Sequence, residues 1–330
     1  MKAVVVENYD SIDGISIKEI DKPGVSPGEV RVKVGAAAVG FVDGLKVQGL
    51  YQTKDPLPFV PGTEFAGIVD AVADDVTAFK PGMPVIGMTR SGALAEYISV
   101  PSAALKNLPP QVPFEAGASF QANYLTGLYA LDARASLRAG EILLVLGAAG
   151  GVGIAAVQIG KLMGARVIAA ASTAEKRAFA VRFGADQTID YTRTDWRDTL
   201  KELTGGHGPD VIFDPVGGEV ALQAFRSIAW RGRHLVVGFA SGTIPALAFN
   251  LPLLEGRRAA RRRSRPDPEA RTGDSRPPDR AIVRLAGIGQ IAARGRQGRA
   301  VREFPRGVQD HAVAIGARQD DRQIRLSARC

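Results

Sequence analysis

The sequence predicts an α/β protein in two parts, a β-rich N-terminal domain followed by a doubly wound parallel sheet. Three observations predict it. Short strands punctuated by proline and glycine fill the first third of the chain. A wholly apolar pentapeptide, Ile142–Leu146, opens a stretch of alternating strands and helices. A glycine-rich turn joins that pentapeptide to the helix that follows. At 330 residues the chain has room for two ordinary domains, and 45% apolar with 23% charged residues excludes a disordered chain.

The elements follow in order. Residues 1–7, M-K-A-V-V-V-E, read as a first strand and not as a signal peptide, so the cytoplasm is expected. Residues 30–34 alternate apolar and charged side chains, as a half-buried strand does, and 93–100 is another short strand candidate. Pro23-Gly24, Pro27-Gly28, Pro61-Gly62 and Pro81-Gly82 mark turns between them, which suggests a small barrel or folded sheet. From about residue 122 the rhythm changes. Ile142–Leu146 is expected to be a strand buried on both faces. A helix over 152–163, a strand over 166–171 and a helix over 174–183 follow. Val211–Asp214 and 234–238 are further strands, with a helix over 219–230 between them. Residues 142–160 carry no charge, but four clustered glycines suit a strand, a turn and a helix start better than a membrane span.

Composition narrows the function. The single cysteine, Cys330, excludes a disulfide framework, and His207, His234 and His311 lack metal-ligand spacing, so no zinc is expected. The net charge of +8 is not spread evenly: residues 256–330 hold 19 arginines, no lysine and eight acids, leaving 23 basic and 26 acidic residues in 1–255. Two compositions meet near residue 256.

The chemistry is concentrated at Ala148-Ala149-Gly150-Gly151-Val152-Gly153, a G-x-G-x-x-G pattern whose first glycine is alanine. Gly150 lets the backbone approach a pyrophosphate, Gly153 lets the helix pack on the strand, and the helix N-terminus offers free amides to phosphate. An NAD site wants an acid about 20 residues further on to hold the ribose 2′-hydroxyl. Here that region reads Ser172-Thr173-Ala174-Glu175-Lys176-Arg177, so a 2′-phosphate meets a hydroxyl and two cations and NADP is favoured. The alternative is that Lys176 and Arg177 form a solvated helix face.

With Pro61-Gly62-Thr63-Glu64-Phe65-Ala66-Gly67, the glycine turn, the Ser172 to Arg177 run, Val237-Gly238-Phe239-Ala240 and Phe249-Asn250-Leu251-Pro252-Leu253-Leu254, residues 1–255 resemble a zinc-free medium-chain dehydrogenase/reductase of the NADPH:quinone oxidoreductase type. The resemblance implies a GroES-like β-barrel catalytic domain over 1–121 and a Rossmann nucleotide-binding domain over 122–255. It implies NADPH as cofactor, a quinone or conjugated carbonyl as acceptor, and a homodimer. Ser172, Lys176 and Tyr191 would contact the 2′-phosphate, with Thr126, Val237, Gly238, Phe239 and Ala240 near the nicotinamide. Zinc-dependent relatives have a ligating histidine where Thr63 stands, and their ligating cysteine near residue 40 is missing, so polarisation by hydroxyls, amides or water is expected.

On the catalytic side the candidates are Asp43, Tyr51 and Thr126. Gly40-Phe41-Val42-Asp43 departs from the resemblance, because quinone reductases of this type usually have asparagine before that triplet. Gln48-Gly49-Leu50-Tyr51 resembles the segment that carries a proton-donating tyrosine in zinc-free enoyl reductases; the other reading of Tyr51 is a packed loop aromatic. Two non-enzymatic readings stand beside the reductase: an NADPH-binding protein with lost activity, and a nucleic-acid binder acting through its arginines.

Residues 256–330 do not match the family. They read R-R-A-A-R-R-R-S-R-P-D-P onward, without strand alternation. Five arginines within residues 257–263 oppose the twofold edge pairing of a dimer. One reading is a functional basic tail, the other a shifted frame of GC-rich DNA. In the next frame, 289–293 permits Gly-Lys-Leu-Arg-Pro and 319–325 permits Lys-Thr-Ile-Gly-Lys-Phe-Val, both similar to the family's C-terminus. The tail is expected to lack a coherent core.

Overall fold

The computed structural model describes residues 1–9, 12, 15–248, 250–251, 258–261 and 312–314. Phe249, residues 252–254, His311, Cys330 and most of the arginine-rich tail therefore lie outside the described residues, and so do the dimer and reading-frame expectations attached to them. The chain divides into two compact units, one built on Met1–Ser119 and one beginning at Phe120.

In the first unit, β1 (Lys2–Val6) pairs antiparallel with β2 (Ile15–Glu19). β3 (Glu29–Ala38) is the long central strand, with Val30, Val32 and Val34 buried and Arg31 and Lys33 facing outward, the alternation that a one-sided sheet requires. A short helix, α1 (Phe41–Val47), leads to β4 (Glu64–Val72), β5 (Pro84–Met88), β6 (Tyr97–Pro101) and β7 (Leu105–Asn107). β4 and β6 flank β3, and β5 and β7 extend the sheet beyond β4, all antiparallel. Their inward valines, Phe65, Ile98 and Leu105 form one core. The strand expected over 93–100 begins later, at Tyr97, while Leu94 and Ala95 serve β1 instead: Val4 N–H donates to the Leu94 carbonyl and Ala3 bridges Ala95. α2 (Phe114–Ala118) closes the unit, its Gly117 packed on Ile86 and Leu108.

The second unit starts with α3 (Gln121–Leu128) and a π-helical turn, Tyr129–Arg134. Then come β8 (Ile142–Leu146), α4 (Gly151–Leu162), β9 (Arg166–Ala170), α5 (Ala174–Arg182), β10 (Gln187–Ile189), α6 (Trp196–Leu203), β11 (Val211–Asp214), α7 (Gly218–Phe225) and β12 (Arg233–Val236). Every pairing in this sheet is parallel, in the order β10-β9-β8-β11-β12. β8 is buried throughout because it feeds two cores. Leu143 and Val145 face α4 and the residues around Ala130–Leu137, while Ile142, Leu144 and Leu146 face Trp196 and Leu200 of α6. The chain runs outward from β8 to β10 and then returns to β11 on the other side of β8. That reversal makes the carboxyl ends of β8 and β11 the switch point where such sheets bind nucleotides.

Three local expectations are corrected. α7 ends at Phe225, not near Trp230, because Ala229 N–H turns away to the Pro209 carbonyl. β10 and α6, which the sequence pattern did not announce, complete the first half of the sheet. The tail, read as lacking strands, contributes β13 (Arg258–Arg261), parallel to β12, and β14 (Ala312–Ala314), antiparallel to β3. An open sheet edge offers main-chain donors and acceptors whatever side chains the incoming strand bears. No helix among the described residues is long and apolar enough to cross a membrane.

Candidate functional site

At the switch point the glycine pattern divides its labour. Gly147, not the Ala148 position, takes the left-handed turn, with φ +58°. Gly150 N–H donates to the Gly147 carbonyl at 3.0 Å and closes the turn, and the first helical bond of α4 follows, from Ile154 N–H to the Gly150 carbonyl at 2.9 Å. The amides of Gly151, Val152 and Gly153 precede that bond and belong to the group a helix start cannot satisfy internally. A β-carbon at Gly153 would stand 2.3 Å from the Gly147 carbonyl oxygen, so only glycine lets α4 begin this close to β8. One at Gly151 would meet the Asn123 side chain at 2.8 Å. Ala149 and Gly150 lie on the open side of the turn, half-buried and exposed. Such a cradle, with bare amides and no room for side chains, fits a dinucleotide pyrophosphate.

The second rim of the switch point follows β11. Asp214, 1% exposed, accepts N–H bonds from Val216 at 2.8 Å and Gly217 at 2.9 Å through Oδ1, and Nε2 of His234 lies 2.9 Å from its Oδ2. Its main-chain oxygen takes the amides of Val237 and Gly238 at 2.8 and 3.3 Å. Ala240 N–H donates to the Pro215 carbonyl and Ser241 N–H to the Val216 carbonyl, so the Val237, Gly238, Phe239 and Ala240 loop is laid along the turn after β11. Gly217, at φ +72°, could carry no side chain there: its β-carbon would stand 2.9 Å from the Phe239 ring. Thr126 is buried on α3, the helix that packs along α4 through Gly127 against Ile159 and through the Tyr124–Gln158 hydrogen bond. Burial raises the Tyr124 phenol far above its ordinary pKa, which keeps it a donor.

The third group stands at the carboxyl ends of β9 and β10. The Ile189↔Ala170 register, continued by Ala171 N–H to the Ile189 carbonyl, brings Tyr191 to the strand end that Ser172 leaves. Thr173 caps α5 by accepting the Lys176 amide, and the Lys176 side chain is exposed. Arg177 is engaged differently from a solvated cation, with Nη1 3.1 Å from the Ala171 carbonyl and 2.8 Å from Asp190 Oδ2.

In the first unit Asp43 is buried at the start of α1, where Oδ2 accepts the Gly40 amide at 2.8 Å. Burial pushes its carboxyl above the usual range, against the pull of the Gly40 bond, the Lys46 charge and the neighbouring Gly62 and Thr63 groups. Tyr51 lies half-buried in the segment between α1 and β4, and its hydroxyl makes no hydrogen bond with the described residues. That segment is pinned by an ion pair the sequence did not disclose. Buried Lys46 sits 2.8 Å from Asp55 Oδ2 and also donates to the Arg90 carbonyl, while Arg90 Nε lies 2.7 Å from Asp55 Oδ1. Burial works against the Asp55 charge, but Lys46 and Arg90 outweigh it and hold the carboxyl below its ordinary value. Among the described residues no group of three or more histidine, cysteine or acidic side chains is placed to hold a metal ion. Asn123, Asp214, His234 and the Lys46–Asp55 pair were missed for want of any local motif.

A GroES-like unit and a Rossmann sheet with this glycine cradle, joined in one chain, are the build of a two-domain oxidoreductase. Residues 26–110 match the family described as alcohol dehydrogenase GroES-like domain, and residues 151–265 the family described as zinc-binding dehydrogenase. The chain is 40% identical to quinone oxidoreductase-like protein 2 of Mus musculus over 73% of its own length and 69% of the relative's. It is 32% identical to the quinone oxidoreductase of Homo sapiens over 74% of both chains. It superposes on the Escherichia coli quinone oxidoreductase, solved with NADPH, at a TM-score of 0.79 with 26% identity and 91% of both chains covered. The chain belongs to the medium-chain dehydrogenase/reductase family, among its quinone oxidoreductase-like members.

Proposed function

We propose that the protein is an NADPH-dependent reductase that passes hydride to a quinone or an α,β-unsaturated carbonyl without a metal ion. The observation that carries this reading is the glycine cradle at the β8 end combined with Ser172 and Lys176, in place of an acid, at the β9 end. The NADPH in the E. coli relative supports it.

The cofactor supplies the hydride. In this reading the amides of Gly151, Val152 and Gly153, with Ala149 and Gly150 beside them, hold the pyrophosphate. Ser172, Lys176 and Tyr191 hold the 2′-phosphate. Thr126 and the Val237 to Ala240 loop, which Asp214 fixes, face the nicotinamide. An easily reduced acceptor suits a site whose polarising groups are hydroxyls and amides. The Tyr51 hydroxyl, without a hydrogen-bond partner among the described residues, donates the proton that an enone needs at carbon, whereas a quinone oxygen can take its proton from water. Asp43 is a positioning residue, its carboxylate holding the first turn of α1.

The test is oxidation of NADPH and NADH by the purified protein with a benzoquinone and with an enone, with and without a chelator. The expected result is an NADPH preference of roughly ten- to a hundredfold, the range of one charge-assisted bond, unchanged by chelation. No oxidation with either acceptor, equal use of both cofactors, or loss of rate on chelation overturns the proposal.

A further inference from the structure

The cation at position 177 occupies a place where a dinucleotide phosphate would be expected to recruit it, yet it is already spent. Arg177 reaches from the first turn of α5 across the strand ends, and its Nη1 holds Asp190 Oδ2 at 2.8 Å while donating to the Ala171 carbonyl at 3.1 Å. Asp190 is itself fixed: Oδ1 accepts the Thr192 amide at 3.0 Å and the Thr192 hydroxyl at 2.6 Å. Those two bonds, more than the arginine, hold its carboxyl below the ordinary range, so it is ionised at neutral pH. The aspartate stands directly before Tyr191 and, through the β9–β10 pairing, at the strand end where Ser172 begins the loop. An anion is thus built into the site assigned to the 2′-phosphate.

We propose that Arg177 is a counter-ion and not a cofactor ligand: by neutralising Asp190 it lets a 2′-phosphorylated dinucleotide bind, and the Arg177–Asp190 pair sets the strength of that preference. The inference rests on the NADPH reading above and names the residues that tune it. A bare carboxylate at this strand end repels a phosphate dianion and accepts a ribose 2′-hydroxyl, as the acid of an NAD site does. With the pair intact the local charge is close to zero, and the exposed Lys176 ammonium, outside the pair, decides the sign of the field.

The test uses 2′,5′-ADP and 5′-AMP as probes, titrated calorimetrically into the full chain, so that no turnover is needed. Arg177→Ala should lower the ratio of 2′,5′-ADP to 5′-AMP affinity by about two- to tenfold, the range for partly exposed charges, and less at high salt. Arg177→Lys, which keeps the charge, should stay near the unmodified ratio. Asp190→Asn should raise the ratio. In the double variant Asp190→Asn should restore what Arg177→Ala lost, a rescue that a packing role would not show. If Arg177→Ala loses 2′,5′-ADP binding and Asp190→Asn does not restore it, Arg177 is a direct ligand and the inference fails. Equal losses for both probes would mean local damage to the fold, and the inference fails again. An unmodified chain that binds the two probes alike overturns the NADPH reading itself, and this inference with it. A clear preference that no variant moves overturns the inference alone.

Discussion

Asp214 and His234 form a buried side-chain pair between neighbouring parallel strands, with the imidazole Nε2 2.9 Å from the carboxylate Oδ2. The same carboxylate caps the turn after β11, and the same residue's carbonyl anchors Val237 and Gly238. The loop over residues 237–240 therefore hangs on one aspartate whose second oxygen depends on one histidine, whose Nδ1 is buried with no partner among the described residues.

His234→Leu should leave Asp214 Oδ2 buried without its donor, at about 1–3 kcal/mol in chemical denaturation. His234→Gln, which can still donate, should lose less, and its affinity for NADPH should stay closer to that of the unmodified chain. Equal losses for the two variants would show that His234 acts by volume alone.

Gly153→Ala places a methyl group 2.3 Å from the Gly147 carbonyl, so α4 must lift from β8. The expected cost is about 1–3 kcal/mol of stability, with weaker NADPH binding in a fluorescence titration. Gly151→Ala meets the Asn123 side chain at 2.8 Å instead of backbone, and should cost less.

Tyr51→Phe removes a hydroxyl that no described residue engages, so thermal stability should hardly change. Enone reduction should fall by about 10²–10⁴-fold if that hydroxyl is the acid, while quinone reduction changes far less. Small, similar losses with both acceptors would leave Tyr51 as a loop aromatic.

Glu141 joins Arg233 in a two-pronged pair, both bonds 2.8 Å. Burial opposes its charge, but Arg233 and the Arg138 amide outweigh that and lower its pKa below the ordinary glutamate value. The unfolded chain binds this proton more readily than the native one. The pair's stabilisation is therefore present above the ordinary glutamate pKa and is lost as the pH falls through the lowered native value. Asp43, raised by its burial, works in the opposite sense: its contribution is present at low pH and fades as the pH rises through its native value. Glu141→Gln should flatten the acid limb of the stability curve by about 1 kcal/mol, read from denaturant midpoints at a series of pH values. An acid limb as steep as before would assign the decline to other carboxylates.

The strand at Ile142–Leu146, the helix after it and the glycine turn were legible in the sequence because each has a local cause. Apolar runs and turn glycines act within a few residues. The same locality explains the errors. β10 is a three-residue strand with no pattern of its own, and it exists because β9 offers it an edge. Arg258–Arg261 pairs with β12 although no alternation marks it as a strand, since a parallel edge recruits main-chain groups and not side-chain periodicity.

By itself the sequence determined the order of domains, the dinucleotide turn and the absence of an acid at position 172. Only the tertiary structure decided which charges are free to act. Arg177 and Lys176 are adjacent and chemically alike in the sequence, yet one is bound to Asp190 and the other faces solvent. Lys46, by pattern a surface residue of a short helix, is buried against Asp55. The physical reason is range: periodicity and turn chemistry are set by neighbours along the chain, while an ion pair is set by whichever strand ends the sheet brings within about 4 Å of each other.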